Sequence, residues 1–112
     1  MSVVTNALSG INAAQMQLAV SANNIANATT PSYKPQAVER TPLPGGGVRA
    51  DVIEKSPSAR ALEASQTGGD LAEISPEREL INAKLATYDV QANVKLLKAQ
   101  QQLDKSLLDI QA

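Results

Sequence analysis

The fold is decided by residues 75–110, which read SPERELINAKLATYDVQANVKLLKAQQQLDKSLLDI. Ser75 can cap a first helical turn, and Pro76 suits the first helical position because its missing N–H would have no partner there. Apolar side chains then recur at steps of three and four, the period of one helix face, at Ile81, Leu85, Tyr88, Ala92, Leu96, Ala99, Leu103, Leu107 and Ile110. The pattern predicts one amphipathic helix of about 36 residues, roughly 54 Å long.

The N-terminal segment offers a partner for this helix. Residues 3–26 repeat apolar side chains at heptad steps, interrupted by Gln15, and predict a second helix without any charged residue. We predict that the two helices pair as a coiled coil, with the nine residues above facing Val4, Leu8, Ile11, Leu18, Ala22 and Ile25. The C-terminal line averages about 3.63 residues per step, close to the 3.67 of an eleven-residue pattern, which favours a nearly straight helix or a slight right-handed drift.

The region between the helices predicts a small β-hairpin. Residues 37–41 and 48–54 are short strand candidates, and the segment 42–46, PLPGG, supplies a turn between them. Residues 55–70 show no period and predict a loop, with one helical turn at 60–64.

These elements predict a mainly α fold with long N- and C-terminal helices paired as a coiled coil and a small β-hairpin between them. The predicted helical domain comprises residues 1–33 and 71–112, and residues 34–70 form the hairpin and loop insertion. Without Phe or Trp, the chain has few large side chains for a core of its own. We therefore expect burial to come from other copies or other proteins.

A second apolar line on the C-terminal helix also indicates burial against other copies or other proteins. Val90, Val94 and Leu97 are offset from the first line, so two helices and one hairpin cannot cover both. We predict that these three residues face a neighbouring subunit, and that Gly10 lies where another backbone approaches closely. A wide core stripe in a small bundle is the competing interpretation, most of all for Leu80 and Leu108.

The composition argues against several functional classes. The chain has no Cys and no His, which removes thiol nucleophiles, Ser-His-Asp relays and the usual zinc sites. The net charge of −1 argues against a nucleic-acid surface. Gly45–Gly47 lack the lysine and hydroxyl of a phosphate loop, and Glu77 and Glu79 are better explained by the first helical turn than by catalysis. We expect no enzyme activity, no metal and no cofactor.

The uncharged start of the chain fits neither a secretory signal nor a membrane span. The first charged side chain is Lys34. A secretory signal needs a basic start and an unbroken apolar stretch, and a span needs about 20 mostly apolar residues. Frequent amide and hydroxyl residues interrupt both patterns, so no membrane insertion is expected.

Several stretches resemble the signatures of bacterial flagellar rod and hook proteins. Residues 7–14, ALSGINAA, and 22–34, ANNIANATTPSYK, resemble the N-terminal signature; DLAE at 70–73, Tyr88, ANVK at 92–95 and LLDI at 107–110 resemble the C-terminal one. The family has Gly where this chain has Ser32. The short middle region makes the small proximal-rod subunits the most similar members. The N-terminal signature residues are Asn23, Asn24, Ile25, Ala26, Asn27, Thr30 and Tyr33.

The resemblance implies a structural subunit of the flagellar basal-body rod. Terminal helices of the family pair into a tube-forming region, and subunits stack helically around a central channel. Members pass through the flagellar type III export apparatus without a cleaved signal, which implies a basal body location spanning the periplasm. Implied partners are other copies, neighbouring rod proteins, the basal-body ring and the export gate. The alternative is a helical adaptor or export-associated binding module that docks on the axial structure without polymerising.

Overall fold

The computed structural model describes residues 2–56, 60, 62 and 75–111. Its elements are helix α1 (Val3–Ala26), strands β1 (Gln36–Pro42) and β2 (Val48–Glu54), and helix α2 (Pro76–Gln111). The predicted mainly α fold, with two long helices flanking a small hairpin, is confirmed. Most of the predicted loop at 55–70 and of the helical turn at 60–64 lies outside the described residues, although Arg60 and Leu62 are helical.

Helix α1 begins and ends where polar side chains meet its free backbone groups. Ser2 caps the N-terminus, and its Oγ accepts a hydrogen bond of 3.2 Å from the backbone N–H of Thr5. At the C-terminus, the N–H of Asn27 donates to the carbonyl of Asn23 at 3.0 Å. The predicted bounds of this helix, 3–26, are confirmed.

Helix α2 starts at the predicted cap. The hydroxyl of Ser75 accepts a hydrogen bond of 3.4 Å from the N–H of Arg78, and Pro76 occupies the first helical position. Glu77 and Glu79 place negative charge in the first turn, near the positive end of the helix dipole. The helix then runs for 36 residues to Gln111.

The two strands form an antiparallel hairpin in which Gln36 pairs with Glu54 and Pro42 with Val48. Gly46 and Gly47 adopt positive φ angles of 93° and 84° in the connecting turn, a conformation that glycine accepts at little cost. Val48 and Ala50 are half-buried while Arg49 and Asp51 are exposed, as alternation predicts, but Val52 and Ile53 are both exposed. The buried face of β2 therefore ends at Ala50.

Helix α1 lies between α2 and the hairpin. Ser9 on α1 accepts a hydrogen bond of 3.1 Å from the N–H of Val48, and the Arg40 guanidinium of β1 pairs with the Asp89 carboxylate of α2 at 3.1 Å. The described residues form an elongated body of 64 × 25 × 21 Å. Neither described helix is both long and apolar enough to cross a membrane. The apolar core is small, and its buried members are Ala7, Ala13, Ala14, Val20 and Ala86.

Candidate interfaces of the helix pair

The contact between α1 and α2 is lined by small and polar side chains, which we call the inner seam. The helices run antiparallel, since Asn24 bonds to Glu79, Gln17 shares a groove with Ala86, and Gly10 meets Asn93. We assign to the inner seam Gly10, Gln17 and Asn24 of α1, the buried residues one turn before them, Ala7, Ala14 and Ser21, and Glu79, Ala86, Asn93 and Gln100 of α2.

Members of the inner seam recur every seven residues on both helices. On α2 they are Glu79, Ala86, Asn93 and Gln100, and on α1 they form two sets, 7-14-21 and 10-17-24. A heptad spacing is typical of left-handed coiled-coil pairing. It differs from the average step of about 3.63 residues on the apolar line of α2, which predicted straight or right-handed packing. The difference arises because the residues in contact are not the large apolar ones.

Gly10 permits the helices to approach each other closely. A Cβ atom built at Gly10 would lie 2.8 Å from Nδ2 and 3.0 Å from Cγ of Asn93. The Asn93 amide is itself held, because its Nδ2 donates to the carbonyl of Asp89 at 2.8 Å. The close approach predicted for Gly10 is therefore made within the subunit, and to a side chain rather than to another backbone.

Asn24 is the centre of a buried polar cluster, which we call the node; its other members are Tyr33, Gln36, Lys55 and Glu79. The side-chain Nδ2 of Asn24 donates to the Gln36 carbonyl at 2.8 Å and to Oε1 of Glu79 at 3.1 Å. Its Oδ1 accepts from the Tyr33 hydroxyl and from the Gln36 N–H, both at 3.0 Å. Two donor hydrogens and two acceptor lone pairs are the full capacity of a primary amide. Asn24 thus joins the end of α1, the following turn, the start of β1 and the start of α2.

The node also contains a buried ion pair. The Glu79 side chain is 3% exposed, and its Oε1 lies 3.5 Å from Nζ of Lys55, whose side chain is 12% exposed. Among the described residues, Oε2 of Glu79 has no hydrogen-bond partner although it is buried. A buried carboxylate needs such partners, since removing one charge of a buried pair leaves the other uncompensated. Glu79 therefore holds the two helices and the hairpin together, beyond its place in the first turn.

The long apolar line of α2 lies about 100° round the helix from the inner seam, and we call it the outer line. All nine residues predicted to form the helix-pairing interface on this helix are exposed. Neighbouring residues show the contrast, because Leu85 is 56% exposed and Ala86 is 1% exposed. The structure thus places none of these nine residues in the inner seam. The outer line is Ile81, Leu85, Tyr88, Ala92, Leu96, Ala99, Leu103, Leu107 and Ile110.

The corresponding line on α1 is also outside the inner seam. Val4, Leu8 and Ala22 are exposed, and Ile11, Leu18 and Ile25 are half-buried. Val4 lines a groove with Leu97, Gln100, Gln101 and Asp104 of α2. The physical reason is the same on both helices: small side chains let two backbones come close, and a face of large side chains would hold them apart.

The residues predicted to face a neighbouring subunit lie nearer to α1. Val90, Val94 and Leu97 are half-buried, and Leu97 lines the groove beside Val4. Beyond this groove, α2 continues past the start of α1, and residues 101–111 are all exposed. Ile110, near the tip, is 79% exposed.

The signature residues after α1 form two successive turns. The Asn27 side chain donates to the Asn23 carbonyl at 2.9 Å, and Thr30 donates from its hydroxyl to Oδ1 of Asn27 at 3.2 Å. Ser32 has a φ of 64°, the left-handed conformation. Ser32 thus keeps the conformation for which glycine is suited, at a cost of about 1 to 2 kcal/mol. Ile25 and Tyr33 are half-buried, while Ala26 is exposed.

Asparagine tolerates the left-handed conformation of a helix C-terminus, so Asn23, Asn24 and Asn27 are locally explained as a helix stop signal. That interpretation accounts for Asn27, which bonds to the Asn23 carbonyl, but not for Asn24. The partners of Asn24 lie 12 and 55 residues away, so no local pattern marks them. Within the described residues, no group of three or more acidic, His or Cys side chains is arranged to hold a metal ion.

Comparison with known proteins gives one family. Residues 5–34, which include most of α1 and the signature turns, match the family model for the flagella basal body rod protein. A comparison with curated proteins gave no match. The matched family is a structural one and not an enzyme class, which supports a structural role in the rod and a location at the basal body. The predicted resemblance is thereby confirmed, and over residues 5–34 the chain is similar to the flagellar basal body rod proteins.

Proposed function

We propose that this protein is a structural subunit of the flagellar rod that polymerises helically through the outward faces of its two helices. The observation that carries the proposal is the exposure of all nine outer-line residues of α2. Exposed apolar patches of this extent mark interaction surfaces, because leaving them in water is unfavourable. In this proposal the assembled helices build the drive shaft and the wall of its export channel.

The magnitudes favour an array over a single pair. Burying the rest of a half-exposed Leu or Ile gains about 1 kcal/mol. Burying all seven large residues of the outer line would therefore gain about 7 kcal/mol in total. Association costs about 4 to 15 kcal/mol in lost freedom. One such contact alone is therefore weak, whereas a subunit that contacts several neighbours gains from each of them. Copies of this chain and neighbouring rod proteins are the proposed partners, with the basal-body ring and the export gate at the ends of the assembly.

The uncharged surface of α1 supports close packing in such an array. The helix has no ionised side chain, so a neighbour can cover it without desolvating a charge. We also propose that the protein spans the periplasm after passage through the type III export apparatus without a cleaved signal. That part of the proposal rests on the family resemblance.

Light scattering against protein concentration tests polymerisation. The parent chain should grow beyond any fixed size as concentration rises, and Leu103→Asp should remain small because it places a charge in the outer line. The control is Gln102→Asp, which adds the same charge at an adjacent exposed polar position and should grow like the parent. Growth of Leu103→Asp equal to that of the control would contradict the proposal. A plateau at a fixed stoichiometry would instead support the non-polymerising adaptor.

A further inference from the structure

We propose that the node fixes the register in which the two helices pair. The inner seam alone specifies that register poorly, because its members repeat every seven residues and half of them are Ala, Gly or Ser. A slip of seven residues would bring Gly10 opposite Ala86 or Gln100 instead of Asn93. Each of these positions can face a glycine, so the contact at Gly10 does not by itself penalise the slip.

The node does penalise a slip of seven residues between the helices. In the observed register Glu79 lies against Asn24, and a seven-residue slip would move it opposite Gln17 or Pro31. In either position the carboxylate would lose the Asn24 amide and the Lys55 ammonium together. A buried charge without those partners is strongly unfavourable, and a single buried polar residue can set the register of a coiled coil in this way.

The hairpin supplies the reference point for the register. Asn24 bonds to both backbone groups of Gln36 at the start of β1. Lys55 follows β2, and its N–H donates to the Pro35 carbonyl at 2.9 Å. The amide and the ammonium that meet Glu79 are therefore held by the same end of the hairpin. Glu79 transmits that position to α2 through a buried contact, whereas the other link, Arg40 to Asp89, is exposed.

Engineered cysteines can report the register cleanly, since the chain has none of its own. Val4 and Gln100 line one groove, so Val4→Cys with Gln100→Cys reports the observed register. Val4→Cys with Leu107→Cys, or with Asn93→Cys, reports slips of seven residues in the two directions. Labelled cysteine variants are diluted into an excess of unlabelled parent chains, so that crosslinks between two labelled chains are rare. Intramolecular crosslinks are then measured as products of monomer size.

The test variant is Lys55→Met with Glu79→Met in each reporter background. It removes the ion pair but leaves Asn24 its bonds to Tyr33 and Gln36. Helicity should be retained, because a buried ion pair can be replaced by apolar side chains of similar size, while the ratio of native to slipped crosslinks falls by roughly tenfold or more. The control is Arg40→Met with Asp89→Met, which removes the exposed pair and should leave the ratio unchanged.

An unchanged ratio in the helical double variant would overturn the proposal, and so would an equal loss in the control. If the double variant loses its helicity, the same assay is made on Glu79→Gln, which keeps the shape and an acceptor for Asn24 but not the charge. Slipped crosslinks should then appear at an intermediate level, and their absence from Glu79→Gln would equally overturn the proposal.

Discussion

The inner seam and the outer line occupy different faces of the same helix and follow different physical rules. The inner seam holds small, amide and carboxylate side chains that are buried or half-buried within the subunit, whereas the outer line holds large apolar side chains in water. In most small domains the large apolar side chains are inside. The reversal indicates that close approach and hydrogen bonds organise the subunit, and the proposed polymerisation would use the large hydrophobic surface for contacts beyond it.

The sharpest way to break this contrast is to place the same charge on each side of α2. Ala86→Asp should cost about 3 to 5 kcal/mol of unfolding free energy, because it buries a carboxylate without a partner. Leu85→Asp, one residue earlier and exposed, should change that free energy by less than about 1 kcal/mol while preventing assembly. Urea denaturation of dilute protein measures the first effect and light scattering the second. Equal destabilisation by the two variants would remove the distinction between the faces.

The polar part of the inner seam can be tested in the same way. Glu79→Ala should cost about 3 kcal/mol, since Lys55 and Asn24 would each lose a buried partner. Glu77→Ala is the matched control: Glu77 is in the same turn but exposed, so its loss should cost less than about 1 kcal/mol. A Glu79→Ala protein as stable as the Glu77→Ala control would show that the node contributes nothing to stability.

The size limit of the inner seam predicts a smaller effect at Gly10. Alanine normally stabilises a helix by about 1 kcal/mol relative to glycine, but here its Cβ would overlap the Asn93 side chain. We expect Gly10→Ala to destabilise the monomer by about 1 to 2 kcal/mol in net. In an Asn93→Ala background the sign should reverse, which a double-mutant cycle by thermal unfolding measures. A stabilising Gly10→Ala in the parent chain would mean that the seam has room to spare.

The smallest effect is expected outside both faces, in the signature turn. Ser32→Gly should stabilise the chain by up to about 1 kcal/mol, because glycine adopts the left-handed conformation without strain. The gain is limited because glycine loses more conformational freedom on folding than serine does. Ser32→Ala, which keeps the strain, should be close to neutral. Differential scanning calorimetry of the two variants would separate these outcomes, and a destabilising Ser32→Gly would show that the serine makes a compensating contact.

The elements of this fold follow from local sequence signals, and the choice of packing face does not. The cap at Ser75, the proline at Pro76 and the turn glycines act on their own neighbours, so the bounds of α2 and of the hairpin could be predicted. Periodicity of large apolar residues marked the outer line, but the inner seam is made of Ala, Gly and Ser together with Asn, Gln and Glu. Such residues produce no hydrophobic periodicity in the sequence. They contribute by letting the two helices approach closely and by forming hydrogen bonds between them.

The node was beyond sequence reasoning for a related reason. Asn24 looks like one of several helix-ending asparagines, and Glu79 looks like a favourable first-turn acid; both readings are locally sufficient. Their joint role depends on Lys55 and Gln36, which reach them only through the hairpin. The predicted functions of Val90, Val94 and Leu97 remain predictions about assembled subunits.

The seven-residue spacing of the inner seam affects which mutations the protein can accumulate. At Ala7, Ala14 and Ala86 the limit is volume, so any larger side chain should be rejected whatever its polarity. Along the outer line the limit is polarity, so exchanges among Leu, Ile and Met should be accepted and a charge should not. In a saturation mutagenesis library selected for motility, accepted substitutions should then be limited by side-chain size in the inner seam and by charge along the outer line.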